Sequence, residues 1–135
     1  MNFRNFSETG PSVSEIGLGC WQLGGDWGDV DDYTAQKVLE AAVQNGINFY
    51  DTADVYGKGR SEELLHKYLK PLAPDAFIAT KLGRFPDPGN SENYTFENFR
   101  RFTENSLKRL NLDVLDLTQL HCIPTELMVS GEVFE

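Results

Sequence analysis

Apolar runs of β type recur along the chain at Ile16–Gly19, Ile47–Tyr50, Phe77–Thr80 and Val114–Leu120. Their starting points lie about 30 to 37 residues apart, and each interval carries apolar residues at helical spacing. Strands alternating with helices at this interval predict βαβ units, a parallel sheet and hence an α/β fold. Asp31 or Asp32 is placed to cap a first helix with Val38, Leu39, Ala42 and Val43 on one face. That helix stops at Asn45-Gly46, where glycine takes the left-handed C-terminal position at little cost. Ser61 is placed to cap a second helix running to about Leu69 and ended by Pro71. Thr95 caps a third, with Phe96, Phe99, Thr103, Leu107 and Leu110 as its apolar stripe. Glu97, Arg100, Arg101, Glu104 and Lys108 form its solvated face. Ahead of the first repeat, NFRNF and SVSEIG flank the turn TGP and predict a short β-hairpin.

Between Leu82 and Tyr94 the segment GRFPDPGNSEN is rich in Pro, Gly, Asn and acids. A loop this long between a strand and its helix is uncommon without a task, and it is expected to form one wall of a binding site.

Composition narrows the function classes. Acids outnumber bases 21 to 12, giving a net charge of −9. That excludes nucleic acid as a main partner, since phosphate binding needs clustered Lys and Arg. No apolar run approaches the roughly 20 residues that span a bilayer. The N-terminus, MNFRNFSETGPS, has no apolar stretch of the signal-peptide kind. The expectation is a cytoplasmic protein with no membrane partner. Cys20 and Cys122 show no CxxC spacing and are read as reduced, semi-buried thiols. His121-Cys122 lacks further ligands at any recognisable metal-site spacing, so no metal is expected.

In parallel α/β folds ligands meet the carboxyl ends of the strands. The runs deliver there Gly19-Cys20-Trp21, Asp51 leading to Tyr56, Lys81, and His121. A free phenol titrates near 10 and releases its proton reluctantly; a neighbouring ammonium stabilises the phenolate. A carboxylate keeps such an ammonium charged and in place, and an imidazole can hydrogen-bond the same substrate oxygen. This set suits protonation of a carbonyl oxygen while a hydride reaches the carbon. No side chain donates hydride, so a cofactor is required.

The motifs GLGCWQLGG, NFYDTADVYGKGRSEELL, FIATKLG and LDLTQLH, in this order and spacing, resemble the aldo-keto reductase family over essentially the whole chain. The resemblance implies a (β/α)8 barrel, NADPH as cofactor, and reduction of an aldehyde or ketone to an alcohol. By matched position Tyr56 would be the general acid, Lys81 would help it release its proton, and Asp51 would pair with Lys81. His121 would orient the substrate carbonyl, with Trp21 and Asp51 near the cofactor. The hairpin would plug the barrel's bottom. Cys20 and His66 stand where the family often has Thr and Gly, away from these polar groups.

A (β/α)8 barrel takes about 250 residues, and four βα repeats preceded by a hairpin are its N-terminal half. The expectation for residues 1–135 is a partial reductase domain, truncated and inactive alone. Phosphate-binding loops commonly follow strands seven and eight, and no GxGxxG fingerprint substitutes for them here. Inner side chains such as Phe49, Ile78 and Leu117 would then face an unfilled layer, and open sheet edges would invite self-association. The alternatives are two half-barrels closing as a dimer, a non-catalytic half-barrel interaction module, and a doubly wound flavodoxin-like sheet.

Overall fold

The computed structural model describes residues 1–84, 90–130 and 133. Strands β1 (Phe3–Asn5) and β2 (Ser12–Ser14) pair antiparallel as the expected hairpin. Strands β3 (Leu18–Gly19), β4 (Phe49–Asp51), β5 (Phe77–Leu82) and β6 (Leu117–Leu120) follow. They form a parallel sheet in the order β3-β4-β5-β6. Neighbours in sequence are neighbours in space with no reversal, which a doubly wound sheet would require. This is the progression of a barrel wall, and the helices between the strands lie on its outer side.

Helix α1 (Asp32–Gln44) is capped by Asp31, whose side chain accepts the Thr34 N–H at 2.7 Å. It buries Ala35, Leu39 and Ala42 against the sheet, while Val38, expected inside, is exposed. Helix α2 (Arg60–Leu64) continues through a π-helical turn, Leu65–Leu69. Ser61 does not cap it. Gly59 holds the cap position, and Ser61 is fully buried, donating to the Cys20 carbonyl at 2.8 Å and accepting from Thr52 at 2.9 Å. Helix α3 (Phe96–Leu110) is capped by Thr95 as expected, but its buried stripe is Phe102, Ser106 and Leu110. Phe96, the first residue of the helix, stays exposed. A short helix α4 (Thr125–Ser130) follows β6.

Strand bounds shift for identifiable reasons. Val114 is exposed, and the Asp116 carboxylate accepts the Ile78 N–H at 2.9 Å, so β6 joins the ladder only from Leu117. Side chains alternate across a strand. The register Phe49↔Phe77, Ala79↔Leu117 and Lys81↔Gln119 therefore places Phe49, Asp51, Lys81, Leu117 and Gln119 on the inner face. Ile78 belongs to the opposite parity. It packs with Leu39, Leu65, Leu69 and Leu110 in the layer between sheet and helices, and does not face the barrel interior.

At the amino end of the sheet the inner face is closed by aromatic packing. Phe6 lies 5.1 Å from the Phe77 ring and 6.3 Å from Phe49. Asn48 ties the hairpin down, accepting the Ser14 N–H at 2.6 Å and donating to the Ser12 carbonyl at 2.9 Å. The opposite end of the sheet is left to polar residues.

Candidate active site

The carboxyl ends of the strands bring all five sequence-predicted residues together. Asp51 ends β4, Lys81 lies one residue before the end of β5, and His121 follows β6 with its N–H on the Leu82 carbonyl at 2.8 Å. Tyr56 sits in a 3-10 turn, Tyr56–Gly59, and Trp21 precedes another, Gln22–Gly24. The two turns touch through glycines. A Cβ on Gly57 (φ +60°) would stand 2.3 Å from the Gly24 carbonyl oxygen, and one on Gly24 would stand 2.6 Å from the Gly57 nitrogen. Only glycine allows that approach, and it sets Trp21 face to face over Tyr56 at 5.7 Å.

Lys81 organises the centre. Its ammonium donates to Asp51 Oδ1 at 2.5 Å, to the Thr52 carbonyl at 2.8 Å and to Tyr56 Oη at 3.2 Å. An ammonium has three protons, and these acceptors use all of them. The phenol oxygen accepts from Lys81, so its own hydrogen is available to an outside acceptor. The second Asp51 oxygen receives Gln119 Nε2 at a weak 3.5 Å and remains partly open to the rim.

His121 meets Tyr56 edge-on at 5.9 Å, and its backbone carbonyl is anchored by the Tyr94 hydroxyl at 2.6 Å. Its Nδ1 is buried without a partner among the described residues. Burial, reinforced by the positive charges of Lys81 and Arg84, holds its pKa down at about 4. The imidazole is therefore neutral at neutral pH. An NMR titration of the His121 ring is expected to be flat from neutral pH down to about 5; a midpoint near 6.5 would contradict the geometry.

Several polar residues at this end were not singled out from sequence. Glu62 is fully buried, accepting Thr80 Oγ1 and Arg109 Nε, both at 2.6 Å. Gly59, with φ +100°, lets the Arg109 side chain pass where a Cβ would collide with it. Asp54 is buried nearby, and neither carboxylate oxygen has a hydrogen-bond partner among the described residues. Burial first, and then the Glu62 charge, push its pKa up to about 6. The folded state then holds a proton that the unfolded chain releases at lower pH, so stability is lost as pH rises through about 6. Asp54→Asn should remove that loss and stabilise the protein at pH 7 by on the order of 1–3 kcal/mol, read by urea melts across pH. A gain that does not change with pH would show that the carboxylate is not the cause. The signal in sequence was faint, since an acid inside DTADVYG or SEELL looks like a turn or a solvated helix face.

Beside Tyr56 opens a cleft of about 260 Å³ lined by Trp21, Asp26, Val55, Tyr56 and Arg84. Arg84 comes from the long loop expected to form a wall. Residues 85–89 of that loop lie outside the described residues. Cys20 is buried, which pushes its thiol up to about 12, whereas Cys122, expected to be semi-buried, is exposed.

The profile of the Aldo/keto reductase family matches residues 15–133. The chain belongs to the aldo/keto reductase family. An aldo-keto reductase of Bacillus subtilis is 39% identical over 127 residues, covering 90% of this chain and 38% of its own length. The holo form of an aldo-keto reductase from Bacillus halodurans superimposes with a TM-score of 0.74 at 31% identity, over 90% of this chain and 40% of that one. An aldo-keto reductase from Klebsiella pneumoniae, solved in complex with NADPH, does so with a TM-score of 0.69 at 27% identity, over 90% and 40%. This chain thus spans about two fifths of each relative and forms part of a (β/α)8 barrel wall. No described helix is long and apolar enough to cross a membrane.

Proposed function

We propose that this chain carries the proton-donating side of the active site of an NADPH-dependent oxidoreductase that reduces an aldehyde or ketone to the alcohol. The observation that supports this reading is the Lys81 ammonium bound to Asp51, the Thr52 carbonyl and Tyr56 Oη. Tyr56 then gives its proton to the carbonyl oxygen, and Lys81 stabilises the phenolate left behind. Asp51 keeps Lys81 charged and aimed. Neutral His121 orients the carbonyl by a hydrogen bond. The partly exposed indole of Trp21 and the open oxygen of Asp51 fit the nicotinamide end of the cofactor, offering an aromatic face and an acceptor for ribose hydroxyls. Bound NADPH would supply the hydride to the carbonyl carbon.

Titration with NADPH, followed by the fluorescence of Trp21 and Trp27, tests the division of labour. Saturable quenching is expected in a barrel completed by a C-terminal half, and none at micromolar cofactor for residues 1–135 alone. Saturation by these residues alone would assign the phosphate grip to this half.

A second reading, a half-barrel interaction module, is favoured by one observation. Among the described residues β3 and β6 each pair on one side only. Such edges recruit further strands, and sedimentation of the chain would show self-association if they pair with a second copy; a monomer at high concentration would sink it.

A further inference from the structure

We propose that Tyr94 is a positioning residue of the active site, its hydroxyl fixing the backbone of His121 and so the point from which the imidazole reaches the substrate oxygen. The inference rests on the reductase reading for the substrate but not for the placement of the ring. The Tyr94 hydroxyl donates to the His121 carbonyl at 2.6 Å, across 27 residues of chain. The His121 N–H is taken up by the Leu82 carbonyl at 2.8 Å. Both backbone groups of His121 are thus held, whereas Nδ1 of its ring is buried with no partner among the described residues. With no bond at that nitrogen to aim it, the ring goes where the backbone puts it, edge-on to Tyr56 at 5.9 Å. That backbone needs holding. Cys122, next in the chain, has φ +58°, a left-handed conformation that a residue with a Cβ keeps only where its surroundings impose it.

Tyr94 is itself a fixed point. It is buried and follows the 3-10 turn Ser91–Asn93, with its N–H on the Ser91 carbonyl at 3.1 Å. Beside it Thr95 caps α3 by accepting the Asn98 N–H at 3.3 Å, and the Asn98 side chain donates to the Glu92 carbonyl at 2.9 Å. The Tyr94 ring lies against Gly83, where φ is +102° and a Cβ would stand 2.5 Å from Tyr94 Cε1. Only glycine leaves room for the ring there. Phe99 packs against the same ring edge-on at 6.3 Å. Burial pushes the pKa of the phenol up, with Cys122 and Asp54 adding to this and Arg84 opposing it, so the hydroxyl keeps its proton and goes on donating at neutral pH. A phenylalanine would fill the same space. The oxygen is therefore not there for packing, and the His121 carbonyl is its hydrogen-bond partner among the described residues.

Tyr94→Phe keeps the ring and removes the bond. On residues 1–135 the His121 ring is followed by NMR across pH, with the exposed His66 ring as internal control. In the parent, burial first and then Lys81 and Arg84 hold the His121 midpoint at about 4, with Asp51 opposing them. Release of the backbone should hydrate the ring and take it away from both cations, so the midpoint should rise above about 5. In a barrel completed by a C-terminal half, Tyr94→Phe should lower kcat for a small aldehyde by about 10- to 100-fold and leave the NADPH Kd unchanged. With His121→Ala already in place, Tyr94→Phe should change kcat by less than about twofold, because the residue through which it acts is gone. A hydroxyl that only stabilised the fold would lower kcat by the same factor in both backgrounds. Circular dichroism on each variant separates lost positioning from lost folding. A His121 midpoint that Tyr94→Phe does not raise, or equal losses of kcat with and without His121, would each overturn the inference. A completed parent barrel that binds NADPH and reduces nothing would sink the reductase reading alone, and the His121 titration would still decide whether Tyr94 places the ring.

Discussion

Tyr56→Phe is expected to lower carbonyl reduction by a completed barrel roughly 10²–10⁴-fold, the range for loss of a positioned general acid, and to leave cofactor affinity unchanged. The substitution removes one oxygen and keeps the ring. Trp21 still stacks on it at its present separation of 5.7 Å, and the Gly24–Gly57 contact that fixes the turn is untouched. What disappears is the atom that Lys81 addresses at 3.2 Å and the hydrogen it leaves free. The loss should fall on kcat, because the proton moves only as the carbonyl is reduced. Steady-state kinetics on both proteins checks it. Reduction within about threefold of the parent would remove Tyr56 from the proton path and leave the Lys81 cluster a structural ion pair.

Arg109→Ala should cost about 3–5 kcal/mol of stability, the usual penalty for breaking a buried pair from one side. Glu62 is entirely buried and receives Arg109 Nε at 2.6 Å, with Thr80 on its other oxygen. Without the guanidinium its carboxylate faces Asp54, a second buried acid with no hydrogen-bond partner among the described residues. The damage should be repaired in part by Glu62→Leu combined with Arg109→Met, since an apolar pair of similar volume leaves no stranded charge. Urea unfolding of the single and double variants measures both effects. A loss below about 1 kcal/mol for Arg109→Ala would mean that water reaches Glu62 and that the pair is not a dry one.

Much of the rim could be read from the chain because strand chemistry is simple. A period of two and a fixed strand end put Asp51 and Lys81 on one face, and their register follows from β4 pairing with β5. Tyr56 and Trp21 came from their loops' place after strands. Helix faces were read less well. Aromatic residues at Phe96, Phe99 and Phe102 wrap more than one side of α3, and only the packed sheet decides that Phe102 and Ser106 go inside. Ser61 looked like a cap because Ser often is one. The left-handed Gly59 takes that position, freeing the hydroxyl to bridge Cys20 and Thr52, the residues that follow β3 and β4. Ile78, expected on the inner face, takes the outer one, because neighbouring residues of a strand point to opposite faces and the register gives the inner face to Phe77 and Ala79. Glu62 and Asp54 leave no mark in the sequence, since burial of an acid is a tertiary event with no local signature.

The most direct test of the central claim is to complete the barrel with a C-terminal half, supply a small aldehyde, and follow NADPH loss and alcohol formation together. One alcohol formed for each NADPH consumed, abolished by Tyr56→Phe, is the predicted result. Cofactor bound without any alcohol formed would contradict the claim and leave Asp51, Tyr56, Lys81 and His121 as a scaffold for something other than reduction.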